Sequence, residues 1–353
     1  MNKVDLKKII IIFLLSRLLL ILFIIIKKDI SILTLYDGVH YINIAKNGYS
    51  EPLLYAFFPL YPLLIRLLSI VIHSYEISGF IISNICSFMS LVLLNKIVKE
   101  KNIFNLICFA FSPILAFTTI IYTESLFMFL TLLGYYLYKK DKYILSAIIV
   151  GLSILTRNSG IILWGSIGID MLYRLFKKKD IKFKNILLFG IISLLIGMIY
   201  PIYLYITEGN FLMFAKVQNT YWGRVNGTII DGISKDITVL KRDYNPFNII
   251  IFLENWLSFI IALILGIKIT KKNITCGIYV VVSLLAFTIS FRDINYWISL
   301  ASISLFRYVL NLFPIYLYIF DKKNNNQKWI IAIIFLSICI YNTTLFYLGA
   351  FIA

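Results

Sequence analysis

The residues best placed to do chemistry gather near the start of the chain. Between Tyr36 and Pro62 stand an acid, Asp37, a histidine, His40, the tyrosines Tyr41 and Tyr61, a Gly48-Tyr49 turn and the run Phe57-Phe58-Pro59-Leu60-Tyr61-Pro62. A carboxylate such as Asp37 can take the proton of an attacking hydroxyl. The same residue at that place also suits a helix cap. His40, three residues on, shares a helical face with Asp37. It can hydrogen-bond a phosphate, orient the acid, or simply sit at the surface. The rings of Phe57, Phe58 and Tyr61 can stack on a sugar or a prenyl chain, and equally suit the aromatic belt of a membrane surface.

Further along, charged residues interrupt apolar stretches. Glu124 lies in the tight connection Tyr122-Thr123-Glu124-Ser125. A carboxylate near a bilayer is costly unless paired or functional, although a helix N-terminus also stabilises one. Arg157, in Thr156-Arg157-Asn158-Ser159-Gly160, and Arg307, before Tyr308, have the forked cation that binds phosphate. Arginines there also snorkel to the interface. Arg66 reads as snorkelling, and Arg224, Lys241 and Arg242 as solvation of a long polar loop. No Gly-rich phosphate loop, nucleotide-sugar domain or zinc-ligand spacing is visible. Cys86, Cys108, Cys276 and Cys339 each sit in an apolar run, the pattern of buried thiols.

A scaffold must position these groups, and its class is plain. The chain of 353 residues is 60% hydrophobic and 14% charged, with a mean hydropathy of +0.89. Apolar runs of about 17–22 residues alternate with lysine clusters, as in an all-α polytopic membrane protein. The spacing predicts about eleven transmembrane helices in a single domain, 1–353: 9–26, 77–95, 103–121, 126–138, 143–156, 161–176, 185–206, 247–267, 274–290, 307–320 and 329–350. Two connections are long, 27–76 and 207–246, and 59–73 suits a short interfacial helix within the first.

The net charge of +17 follows the positive-inside pattern, so it marks topology rather than nucleic-acid binding. Lys3, Lys7 and Lys8 place the N-terminus in the cytoplasm, and Lys27-Lys28 without a small-residue cleavage site indicates a retained first helix. Asp37, His40, Glu124, Arg157, Arg292 and Arg307 then share the outer face. That face-bound set favours an enzyme over a transporter or flippase for lipid-linked sugars, whose site lies more often at mid-membrane. A non-catalytic scaffold is the third reading.

Together these residues resemble the PIG-V-like mannosyltransferases, integral-membrane enzymes of the GT-C glycosyltransferase class. The resemblance rests on Tyr36-Asp37, Tyr41-Ile42-Asn43-Ile44-Ala45-Lys46-Asn47-Gly48-Tyr49, Ala56 to Pro62, Tyr122 to Phe127, Thr156 to Gly160 and Arg307 to Pro314. It departs at Tyr36, where the family more often has tryptophan, and at Val39-His40, where the family varies. The resemblance implies a GT-C fold with a catalytic first outer loop. It implies a polyprenyl-phosphate mannose donor and inverting transfer to a glycolipid, glycan or protein hydroxyl. Asp37 would be the base. Glu124 would position acceptor or sugar. His40, Tyr41, Phe58, Tyr61, Arg157, Arg307 and Tyr308 would bind substrate, the arginines stabilising the departing phosphate. Another lipid-linked sugar is the alternative within the class. No cofactor is expected, and nothing in the sequence indicates a divalent metal. Residue usage looks prokaryotic, which points to a multi-pass protein of the plasma membrane with an extracytoplasmic site.

Overall fold

Long unbranched apolar runs with few charges can satisfy their backbone in lipid only as helices. A computed structural model, which describes residues 4–98, 102–294 and 299–351, is accordingly built almost wholly of helices. Lys3, residues 99–101 of the loop after the second span, and Asn295-Tyr296-Trp297 of the predicted outer segment lie outside the described residues.

Helix α1, Leu6–Lys27, starts at Asp5, whose side chain accepts from the Lys7 amide. The first long connection contains α2, Asp37–Asn47, and α3, Leu60–Ile72, which starts after Pro59 and carries Pro62 in its first turn. Next come α4, Tyr75–Ile97, α5, Ile103–Ala110, α6, Leu115–Thr119, α7, Glu124–Lys139, α8, Tyr143–Thr156, and α9, Gly160–Tyr173. Helix α10, Phe183–Gly197, continues into α11, Ile199–Glu208, with the break at Met198, three residues before Pro201, whose ring would clash with the Gly197 carbonyl in an unbroken helix. Helices α12, Met213–Thr220, and α13, Ile229–Arg242, flank the strand β1, Arg224–Asn226. The remainder is α14, Pro246–Thr270, α15, Ile274–Phe287, β2, Ser290–Arg292, α16, Leu305–Leu310, α17, Phe313–Tyr318, and α18, Asn325–Tyr347.

Among the described residues, five helices are long and apolar enough to cross a membrane: Leu6–Lys27, Tyr75–Ile97, Phe183–Glu208, Pro246–Thr270 and Asn325–Tyr347. The other six predicted segments are present as shorter or broken helices. The run 103–121 divides at Ser112-Pro113, because proline has no amide hydrogen and pushes the residue before it out of helical geometry. The run 307–320 divides at Asn311-Leu312, ahead of Pro314. The outer faces of α1 and α14 leave leucines and isoleucines such as Leu14, Leu18, Leu22, Leu257 and Ile261 exposed, as lipid contact requires. Helix α7 packs on α4, α8 and α9 at the centre of the bundle, and α14 packs on α15 and α16.

The segment 207–246, expected as a polar loop, is largely folded. Thr228 and Asp231 form a reciprocal capping box at the start of α13. The helix is fastened through buried Asp236, whose carboxylate accepts from Trp256 Nε1 at 2.8 Å and the Ser302 amide at 3.1 Å. Strand β1 pairs antiparallel with β2, setting Arg224 opposite Arg292. This pairing joins two segments far apart in sequence and brings both to one cavity.

Candidate active site

Asp37 is the first residue of α2, and its amide donates to the Tyr122 hydroxyl at 3.2 Å. The residue before it, Tyr36, has φ 51°, a conformation that favours glycine. The Tyr36 hydroxyl holds it there by donating to the Gly349 carbonyl. Strain of this kind persists only where the surroundings enforce it, and here it sets the direction in which Asp37 leaves the backbone.

Below Asp37 lies a buried charge network. Glu124 opens α7, with its carboxylate 1% exposed. Arg157 Nη1 donates to Glu124 Oε1 at 2.6 Å, and Arg307 Nε approaches the same oxygen at 3.3 Å. Arg307 Nη1 is 3.6 Å from Asp37 Oδ2. Glu124 Oε2 and Arg307 Nε and Nη1 are buried without a directed hydrogen bond among the described residues. Buried groups left in that condition are rare and concentrate at working sites. Aromatic rings pack the cations: Arg307 lies over Phe117 at 4.9 Å and Tyr308 at 5.3 Å, and Arg157 over Tyr308 at 5.2 Å. Tyr308 thus stands between the two guanidiniums.

A cavity of about 610 Å³ opens above this network, a size within the usual range of small-molecule sites. Asp37, Arg157, Arg224, Arg292, Arg307 and Tyr308 line its polar side, and Tyr41, Phe57, Phe58, Phe214 and Trp222 its aromatic side. Asn158, Ser159, Gln218 and Asn219 add neutral polar groups. Arg224 reaches Tyr308 and the Ser290 carbonyl only at 3.5 Å. Burial and the neighbouring Arg224 lower the affinity of Arg292 for its proton.

The structure brings Asp37, Tyr41, Phe58, Arg157, Arg307 and Tyr308 to this cavity, with Glu124 directly beneath. Tyr41 is largely buried, with its hydroxyl 3.3 Å from Thr123 Oγ1. His40 is off the cavity wall and packs against Phe57 at 5.0 Å and Trp222 at 5.4 Å. Burial there pushes its pKa below the usual imidazole range, against a weaker opposing pull from Asp37 and Glu51. Tyr61 does not reach the cavity. It is fully buried, with its hydroxyl 2.7 Å from Ser83 Oγ and donating to the Gly79 carbonyl at 3.0 Å, so it is a packing residue. Arg224, read from sequence as loop solvation, is instead a wall of the site, as is Trp222. Their signal in the sequence is Trp222-Gly223-Arg224, an aromatic and a cation around a glycine that the structure places at φ 58°.

The family model for Mannosyltransferase (PIG-V) matches residues 20–219. That match contains Asp37, Glu124 and Arg157, while Arg224, Arg292 and Arg307 lie beyond it. No curated protein and no solved structure matches the chain. With more than half of its length matched, and with its helices long and apolar enough to cross a membrane, the chain belongs to the mannosyltransferase (PIG-V) family of membrane glycosyltransferases.

Proposed function

We propose that the protein transfers mannose from a polyprenyl-phosphate donor to a hydroxyl of a glycolipid, glycan or protein on the extracytoplasmic face, with inversion at the anomeric carbon. The observation that carries this reading is the meeting of one acid, Asp37, with several arginines in a cavity that also presents aromatic rings. Asp37 takes the proton of the acceptor hydroxyl as that oxygen attacks the anomeric carbon. The bond from that carbon to the phosphate oxygen breaks on the opposite side, and the electron pair leaves with the lipid phosphate. The guanidiniums of Arg157 and Arg307, largely withdrawn from water, stabilise the charge that develops there. Glu124 holds Arg157 and Arg307 in place rather than touching the sugar. The aromatic side suits the apolar face of the mannose or the first isoprene units.

The same reading treats the whole chain as one GT-C domain of eleven crossings, with the shorter and broken helices completing the five long ones. In that arrangement the N-terminus is cytoplasmic and the site faces out.

Purified protein incubated with radiolabelled polyprenyl-phosphate mannose and total membrane lipid tests the reaction. Wild type should transfer label, and Asp37→Asn should lose about 10²–10⁴-fold, the usual contribution of a positioned base. Equal transfer by both proteins would remove Asp37 from the mechanism. Transfer only from a different lipid-linked sugar would correct the donor.

A further inference from the structure

A second cavity, of about 430 Å³, lies at the other end of the bundle. Three helices run from one cavity to the other. Helix α7 begins at Glu124, under the first cavity, and ends at Lys139, in the wall of the second. Helix α9 begins beside Ser159 and reaches Asp170 and Tyr173, and α15 begins at Ile274 and ends at Phe287. At 1.5 Å per residue, α7 alone separates the two by roughly 24 Å. The second cavity is therefore no extension of the first.

Its wall is rich in cations: Lys139, Arg174, Lys178, Lys271 and Lys272. Two of these cations are already balanced. Arg174 binds Asp141 and Asp180, each at 3.1 Å, and Lys272 pairs with Asp321. Lys178 and Lys271 form no ion pair among the described residues. Asp170 differs from the other acids. It is buried, and it accepts from the Tyr138 hydroxyl at 2.7 Å and from Thr275 Oγ1 at 2.8 Å. Both bonds fall on Oδ2, so Oδ1 keeps its acceptor capacity. Lys139 is 4.0 Å away. Tyr173 lines the wall, and exposed apolar side chains, Leu172, Phe176 and Ile267, stand within three residues of lining residues in the sequence.

A ligand that fits must bring an anion for the lysines, a hydroxyl for Asp170, and apolar chains for these exposed side chains. Basic pockets between transmembrane helices bind anionic lipid headgroups for these reasons. We propose that the second cavity holds an anionic glycerophospholipid whose headgroup carries a hydroxyl beside its phosphodiester. The phosphate sits against Lys178 and Lys271, the headgroup hydroxyl donates to Asp170, and the acyl chains lie along Phe176 and its neighbours. The site is separate from the transfer chemistry and does not depend on it.

Native mass spectrometry of the full chain in detergent tests this. The probes are phosphatidylglycerol, phosphatidylcholine and free glycerol 3-phosphate. Wild type should retain phosphatidylglycerol at least tenfold better than phosphatidylcholine. Lys178→Gln with Lys271→Gln should bring it down to the phosphatidylcholine level. Lys241→Gln with Arg242→Gln, which removes the same charge from the exposed end of α13, should leave it unchanged. Undiminished phosphatidylglycerol retention by the Lys178/Lys271 variant would overturn the site. Capture of glycerol 3-phosphate as strong as that of the lipid would overturn the lipid as its occupant.

Discussion

Glu124, the first residue of α7, and Arg307, in α16, meet with Nε 3.3 Å from Oε1, and both side chains are buried. One acid there faces two guanidiniums, since Arg157 holds the same oxygen at 2.6 Å. A buried network of this kind is most sensitive to losing its shared member.

Glu124→Gln should therefore lower the free energy of unfolding by about 3–5 kcal/mol, because it strands the buried Arg307 and the partly buried Arg157. Chemical unfolding in detergent measures this. Arg157→Lys keeps the charge but loses the planar fork, so it should unfold closer to wild type while transfer falls. Unchanged stability in Glu124→Gln would mean that the arginines are compensated elsewhere.

Arg224→Ala should act on binding and hardly on folding. The contacts Arg224 makes, at 3.5 Å, are at the limit of hydrogen bonding. Stability should stay within about 0.5 kcal/mol of wild type. The KM for the proposed lipid-phosphate donor should rise about tenfold, equivalent to about 1.4 kcal/mol, with a smaller change in kcat. A raised acceptor KM with an unchanged donor KM would move Arg224 to the acceptor side.

Gly232→Ala should couple stability to activity. A Cβ at Gly232 would run into the ring of Phe291, the residue before Arg292 on β2. Overpacking of this sort costs about 1–3 kcal/mol, and the shift it forces reaches the cavity through Arg292. Gly190→Ala, in α10, meets nothing within 4 Å and should be neutral or stabilising. Melting temperature and transfer rate measured together separate the two variants.

His40 should give the fold an acid-sensitive component. Burial depresses its pKa in the folded state, so below pH 6.5, its ordinary value, the unfolded chain takes up the proton first. Its contribution is fully present above that pH and declines as pH falls through it. His40→Gln should flatten the fall in melting temperature between pH 7.5 and pH 5.5 relative to wild type. Parallel curves would show that His40 titrates as it does in the open chain.

The apolar runs made most of the helices legible, and α1, α4, α8, α14, α15 and α18 lie close to their predicted places. The breaks in 103–121 and 307–320 are harder to read. Pro113 and Pro314 are visible, but hydropathy runs through them unchanged. Helix α13 is hidden by its polar outer face, although Thr228 and Asp231 announce its start. At the site, residue type indicated Asp37, Arg157 and Arg307. It could not indicate direction, which is why Tyr61 turns into the core while Phe57 and Phe58, in the same run, line the cavity. Arg224 was least legible, because its place depends on a strand pairing with Arg292 that no local pattern encodes.

That pairing also imposes an order of assembly. A ribosome delivers Asp37 and Glu124 to the bilayer well before β2 and α16 emerge. Until then Glu124 has Arg157 alone, and Asp37 lacks the cation it later meets. Tyr41, Phe57, Phe58 and Phe214, the other rings on the aromatic side of the cavity, all precede Trp222 in the chain. Charge balance comes late in biogenesis, when Ser290–Arg292 closes on Arg224–Asn226 and α16 follows. A nascent chain stalled before that point would carry Asp37 and Glu124 without Arg307, the cation that lies beside both.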